Sequence, residues 1–448
     1  MRNIDLIKRD LKYNWHPFTQ MKDCLSFPPV PLEKAKGVKL FDYNGKFYYD
    51  TISSWWCNVH GHSHPFIKKA IKRQLETLEH TLFAGFTHLP AITLSEKLME
   101  VIPGGLNKIF YSDNGSTSVE VALKMSLQYW KNKGKRKRNK FVSLDMGYHG
   151  DTVGAMSVSG RGPYNSAFER LLFDTLQIPT PYCYRCPSGM DKDKCSFECL
   201  MAAATIFENH HEEISAVIIE PILLGAGGML VYPVKFLRGI SALASKYGCH
   251  LILDEVATGF GRTGRMFAAE HAGIVPDIMC LSKGITSGYL PIGLTVTKQE
   301  IYDGFYAEFD EKKTFYHGHT YTANPLACAA GAASLDLFKK EDSLFRAKMI
   351  NKKLNCFLNG LKDAPYAGDV RSVGVVGAIE IVEDKKRKKP FDPSRRIGME
   401  VYTEGLRKNL VLRPLGNVIY FFLPLSVKEN ELDDIFERSL SVFKKVFK

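Results

Sequence analysis

The sequence lacks any apolar run approaching the roughly 20 residues that a membrane-spanning helix requires. Its first residues, MRNIDLIKRDLKYNWHPF, lack the unbroken apolar block of a secretory signal, so a cytoplasmic location without membrane partners is expected. Internal repeats and low-complexity linkers are also missing. Aromatic interleaving is absent from the two basic runs that account for the net charge of +12. These are KNKGKRKRNK (131–140) and KKRKK (385–389), with seven and five basic residues. Without stacking side chains they read as solvated surface rather than a nucleic-acid groove.

Ten cysteines in such a chain argue for free thiols. Cys183, Cys186, Cys195 and Cys199 form two close pairs that could ligand zinc tetrahedrally. The eight-residue spacer and the Pro187-Ser188-Gly189 turn favour a Cys-rich surface excursion, and no metal is assigned. With 448 residues, 45% hydrophobic and 24% charged, the chain suits a soluble protein of two domains.

Between about 105 and 325, short apolar runs alternate with helix-like segments, the pattern of an α/β domain with a mostly parallel sheet. The runs Ala216–Ile219, Leu251–Leu253 and Ile278–Leu281 are unbroken, as in strands buried on both faces. They end at Glu220, Asp254 and Ser282-Lys283, where an open α/β sheet binds its ligands. VKLFDYNGKFYYD reads as a hairpin turning at Tyr43-Asn44-Gly45. A helix is expected over Ala327–Lys340, with strands near 374–382 and 417–423. The expected division is a large domain over 60–329 and a smaller α+β domain made from 1–59 and 330–448.

DEVATGFGRTG (254–264) and LSKGITSGYLPIG (281–293) carry the strongest chemical signal. A carboxylate at one strand end and a lysine at the next suit a pyridine cofactor. Asp254 would keep the ring nitrogen protonated, and Lys283 would form the imine and later carry the proton. The bland alternative is a capping Asp254-Glu255 and a surface lysine. Near YSDNGSTSVEVALKMSLQYW, a Gly-Ser turn opens a helix with Val119, Ala122, Leu123 and Trp130 on one face. Its first amides, with the Ser116 and Thr117 hydroxyls, offer an anion site, unless Ser116 merely caps the helix. Tyr148, in the Gly147–Asp151 turn, can stack on a planar ring or be a core tyrosine.

Glu220-Pro221, the Asp254 segment, Lys283 and HTYTANPLACAAGAASL together resemble the class III (ω-type) aminotransferases, which have fold type I and use pyridoxal 5'-phosphate. WHPFTQ (15–20), SSWWCNVHGHSHP (53–65) and LRPLGNVIY (412–420) narrow the likeness to the members that aminate 8-amino-7-oxononanoate in biotin biosynthesis. The resemblance implies phosphate binding by Gly115 and Ser116 and ring stacking by Tyr148. It assigns the pyridine nitrogen to Asp254 and the imine to Lys283. Thr320, with His319 beside it, would reach the cofactor phosphate of a neighbouring subunit, implying a homodimer with shared sites. Trp55, Tyr148 and Gly318 would line the substrate pocket, Arg413 would grip the keto acid's distal carboxylate, and Tyr420 would lie nearby.

Two positions depart from the pattern: Phe18 replaces a tyrosine whose hydroxyl touches substrate, and His319 replaces a proline. Phe18 and GYLPIG resemble members that use lysine as amino donor, whereas the indoles of Trp55-Trp56 suit the adenine or sulfonium of S-adenosylmethionine, the donor favoured. The alternatives are another ω-aminotransferase, acting on ornithine, a diamine or a β-amino acid, and a cofactor-binding protein without turnover.

Overall fold

The structure is a computed structural model that describes residues 2–448. Near the N-terminus β1 (Leu32–Lys36), β2 (Lys39–Asp42) and β3 (Phe47–Tyr49) form an antiparallel sheet. The expected turn lies between β2 and β3, with Gly45 at φ +82°. Asp42 secures it, its Oδ1 accepting the Asn44 and Lys46 amides at 2.9 Å each.

β4 (Leu106–Ser112), β5 (Lys140–Leu144), β6 (Leu176–Ile178) and β7 (Ile214–Ile219) follow, separated by helices. After a ribbon of β8 (Leu223–Leu224) and β9 (Leu230–Val231) come β10 (His250–Asp254), β11 (Ile278–Leu281) and β12 (Gly293–Lys298). Seven of these strands form one sheet in the order β4-β12-β11-β10-β7-β5-β6. β11, β10, β7, β5 and β6 pair in parallel, while β12 runs against both of its neighbours. Only residues 282–292 separate β11 from β12. A parallel return needs a crossover of a dozen or more residues, so this connection favours the antiparallel pairing. Every residue of β7, β10 and β11 is buried, as the unbroken apolar runs require.

Beyond β12 the helix starts at Pro325, two residues before the expected Ala327, because Asn324 accepts the Leu326 and Ala327 amides and proline fits the first helical position. β13 (Ala367–Val373), β14 (Val376–Asp384), β15 (Lys389–Pro390) and β16 (Val418–Phe422) make another sheet, with β14 between β13 and β16. The backbone joins the chain's two ends: Tyr49 N–H donates to Asn409 O at 2.8 Å, Val411 N–H to Tyr49 O at 3.0 Å and Phe422 N–H to Thr51 O at 2.8 Å. Among the described residues no helix is long and apolar enough to cross a membrane.

Candidate active site

The parallel strands deliver their carboxyl ends to one edge of the sheet. Glu220 follows β7, Asp254 ends β10, Lys283 follows β11, and the Gly147–Asp151 turn lies just beyond β5. Together with the start of the Gly115–Asn132 helix they surround a cavity of about 640 Å³, within the usual range for a small-molecule site.

The helix start leaves some of its first amides free of intrahelical acceptors. Asn114, rather than Ser116, is the cap: its Oδ1 accepts the Thr117 amide at 3.0 Å, and the Thr117 hydroxyl accepts the Asn114 amide at 3.0 Å. The Ser118 amide bonds to Asn114 O. The Gly115 and Ser116 amides therefore remain as first-turn donors without an intrahelical acceptor. A Cβ on Gly115 would stand 2.6 Å from Val256 Cγ1, so only glycine lets this turn approach the β10 end so closely. Ser116 Oγ accepts the Thr152 amide at 3.0 Å and lies 2.7 Å from Thr152 Oγ1.

Asp254 is buried at the cavity floor. Its Oδ1 accepts the Val256 amide at 3.0 Å, and its Oδ2 lies 2.7 Å from His149 Nδ1. His149 is itself fully enclosed, with Nε2 lacking a partner. Glu220 accepts the Tyr148 amide at 3.1 Å and the Gly225 amide at 2.8 Å. Burial pushes the Glu220 carboxyl up to about 7, with His149 opposing and Asp254 adding to the rise. Lys283 shows the converse. Burial lowers its pKa, while Asp254, Glu220 and Cys57 resist that fall. An amine so placed loses its proton more readily than a surface lysine.

Trp56 supplies another wall. It closes the run Ser53–Trp56, in which four successive residues have φ between +45° and +73°, a left-handed turn that costs side-chain-bearing residues roughly 1–2 kcal/mol each. Buried polar groups hold it. Asp50 accepts the Ser54 amide at 2.8 Å and hydroxyl at 2.7 Å, and His62 Nε2 lies 2.8 Å from the same carboxylate. The fully buried Arg262 donates to Trp56 O at 3.1 Å, Asn58 O at 2.8 Å, Leu423 O at 3.0 Å and Ser53 Oγ at 3.2 Å.

The structure gathers Gly115, Ser116, Tyr148, Asp254 and Lys283 on one cavity. It places the other expected residues elsewhere. Trp55 is 40% exposed beside Phe18, ring centroids 5.5 Å apart, with the Arg413 guanidinium 5.3 Å over its indole. Phe18 and Arg413 line a separate cavity of about 690 Å³ that shares no lining residue with the first. Tyr420 is buried in β16 behind Trp56, whose Nε1 donates to its hydroxyl oxygen at 3.2 Å. Gly318 and Thr320 are exposed and His319 pairs with Asp113 at 2.8 Å, beside the helix start, but none of the three lines the chain's own cavity. His149 and Arg262 carry no role in the sequence pattern although they lie within Gly147–Asp151 and DEVATGFGRTG, and Trp56, expected to face the amino donor, lies instead against Lys283. Glu220 was legible only as a polar strand end. Cys183, Cys186 and Cys195 are half-buried and Cys199 is buried. Among the described residues no group of three or more His, Cys, Asp or Glu is arranged to hold a metal ion.

These residues fit a phosphorylated pyridine aldehyde. First-turn amides suit the phosphate, a buried carboxylate suits a ring N–H, an amine of lowered pKa suits the aldehyde carbon, and the Tyr148 ring suits the pyridine face.

Residues 22–443 match the family model for aminotransferase class III. The adenosylmethionine-8-amino-7-oxononanoate aminotransferase of Geobacter sulfurreducens is 47% identical over 425 residues, covering 95% of this chain and 94% of the relative. The crystal structure of the enzyme of that name from Methanocaldococcus jannaschii superposes with a TM-score of 0.94 at 40% identity, covering 99% of both chains. An (S)-enantioselective omega-transaminase from Thermomicrobium roseum reaches a TM-score of 0.94 at 32% identity, again over 99% of each chain.

Proposed function

The chain belongs to the class III aminotransferases, a pyridoxal 5'-phosphate-dependent family of α/β fold type I, and from that premise we infer that it aminates 8-amino-7-oxononanoate to 7,8-diaminononanoate in biotin biosynthesis, with S-adenosylmethionine as donor. The observation that carries the reading is the convergence of Asp254 and Lys283 on one cavity, in a chain that matches relatives of that activity along almost its whole length.

When bound, the cofactor supplies an electron sink and an aldehyde carbon for amine exchange. Asp254, whose Oδ2 is held against His149 Nδ1, would keep a proton on the ring nitrogen. The Gly115 and Ser116 amides orient the phosphate. Lys283 Nζ would be the base that moves the proton away from the donor α-carbon. Burial lowers its pKa in the sense a base requires. Arg413, beside Trp55 and Phe18, meets the distal carboxylate of the keto acid.

The domain division proposed is a large unit over 60–329 and a smaller one from 1–59 with 330–448. The seven-stranded sheet lying wholly between residues 106 and 298 supports it. A homodimer with shared sites is part of the same reading. Its supports are the exposed position of Gly318 and Thr320 and the uncovered aromatics Trp15, Phe309 and Tyr316, each more than four-fifths exposed.

The test adds S-adenosylmethionine and lysine separately to the cofactor-loaded protein and follows the visible absorbance band. Bleaching by S-adenosylmethionine, with 7,8-diaminononanoate formed on adding the keto acid, is expected. Bleaching by lysine alone would transfer the donor role, in line with the missing hydroxyl at Phe18. A band indifferent to both would defeat the reading.

A further inference from the structure

Trp56 takes no part in the chemistry assigned above, yet its indole lies against the residue on which that chemistry depends. Lys283 Nζ sits 4.5 Å from the ring centroid. The ring is fixed on several sides. Its Nε1 donates to the Tyr420 hydroxyl oxygen at 3.2 Å, and its plane stacks on Phe422 at 5.6 Å and 20°. A Cβ on Gly225 would come within 3.0 Å of the ring, and Arg262 anchors the Trp56 carbonyl. Its own φ of +73° is a costly conformation for a bulky residue. Filling a core slot requires neither this strain nor this many restraints.

We propose that the Trp56 indole face is the seat of the Lys283 amine, a positioning surface that receives Nζ when it leaves the cofactor and favours its ammonium form. This rests on Lys283 being the residue that joins and leaves the cofactor. The charged and titratable groups that bear on Nζ come from several elements. Asp254 at the end of β10, Glu220 after β7 and Cys57 after the left-handed turn favour a cation, and Arg262 opposes it. Trp56 adds an attraction of a different kind, because a π face draws in an ammonium without titrating and without accepting its proton. A third carboxylate in that place would pair with the amine and hold it protonated. An aliphatic side chain would leave a buried cation facing hydrocarbon. The indole holds the amine at intermediate strength and lets it return.

Trp56→Leu and Trp56→Phe test this. In the full-length chain stripped of cofactor, the acetylation rate of Lys283 is followed against pH by peptide mass spectrometry. Losing the ring should lower the apparent pKa of Lys283 by about 0.5–1 unit, and Phe should lower it by less, following the order of the two quadrupoles. In the cofactor-loaded enzyme, donor bleaching of the visible band should slow by about tenfold in Trp56→Leu and less in Trp56→Phe, with cofactor content unchanged. If Trp56→Leu does not fold, Trp56→Phe alone must show a downward shift. An apparent pKa that stays at the parent value in every folded variant overturns the proposal. Borohydride treatment of the parent enzyme separates the two ideas. Cofactor mass fixed on Lys283 with an unmoved pKa sinks the seat alone, whereas its absence from Lys283 sinks the functional reading beneath it.

Discussion

Among the side chains of the cavity, Lys283 and Glu220 are displaced in opposite senses by the same burial. Lys283 has its pKa lowered from 10.5 while three acidic groups resist. A base of that kind should give a rate that rises with pH through an apparent pKa below 10.5, and Lys283→Ala should abolish turnover in a coupled assay. Glu220 moves from 4.5 to about 7, so the folded chain holds this proton more tightly than the unfolded chain. That contribution to stability is complete below pH 4.5 and disappears as pH rises through about 7. Glu220→Gln should therefore flatten the decline in melting temperature of the cofactor-free protein between about pH 5 and 7. The flattening should be partial, because burial also raises Glu255 and Glu380 to about 7. A decline as steep as that of the parent would show that Glu220 keeps an ordinary pKa in the fold.

Two elements set the cavity's geometry. The helix opening at Gly115 depends on Asn114, whose side chain accepts the Thr117 amide while its backbone amide donates to the Thr117 hydroxyl. Asn114→Ala should cost about 1 kcal/mol in denaturant unfolding. It should also weaken cofactor retention, since the first-turn amides lose their fixed direction. The left-handed turn Ser53–Trp56 depends on Asp50, a buried carboxylate engaged by Ser54 and His62. Hydrogen bonds hold the Asp50 pKa below 3.8 against burial, which acts the other way. Its stabilisation is therefore present above pH 3.8 and fades as pH falls below it. Asp50→Ala removes the shared acceptor of the Ser54 amide and hydroxyl and of His62, a loss of roughly 1–3 kcal/mol. Circular-dichroism melts would register it, and an unchanged melting temperature would mean that the turn holds without its carboxylate.

For the whole molecule, the placement of residues 318–320 outside the chain's own cavity makes subunit sharing testable. In a dimer whose site takes Lys283 from one chain and Thr320 from the other, Lys283→Ala and Thr320→Glu homodimers should both be inactive. Co-expressed, the two chains should recover activity, because one site of each mixed dimer receives both native residues. No recovery in a mixed dimer verified by mass would exclude sharing. The fold that makes such a site possible was largely legible in the sequence. Unbroken apolar runs such as Ile278–Leu281 can only be strands buried on both faces. The antiparallel β12 was not legible, because its direction depends on connection length rather than composition.

Sequence alone determined which chemical groups stand at the strand ends, since Glu220, Asp254 and Lys283 each follow an apolar run too short to be anything but a buried strand. It also located the helix start at Gly115-Ser116, because a Gly-Ser turn before an apolar stripe is a local signal. Tertiary structure decided what surrounds those groups. His149 against Asp254, Arg262 beneath the Ser53–Trp56 turn and the Trp56 indole against Lys283 join positions more than 100 residues apart. No local pattern encodes such contacts. Burial and packing, which exist only once the chain is folded, move the proton affinities and hold the strained turn in place.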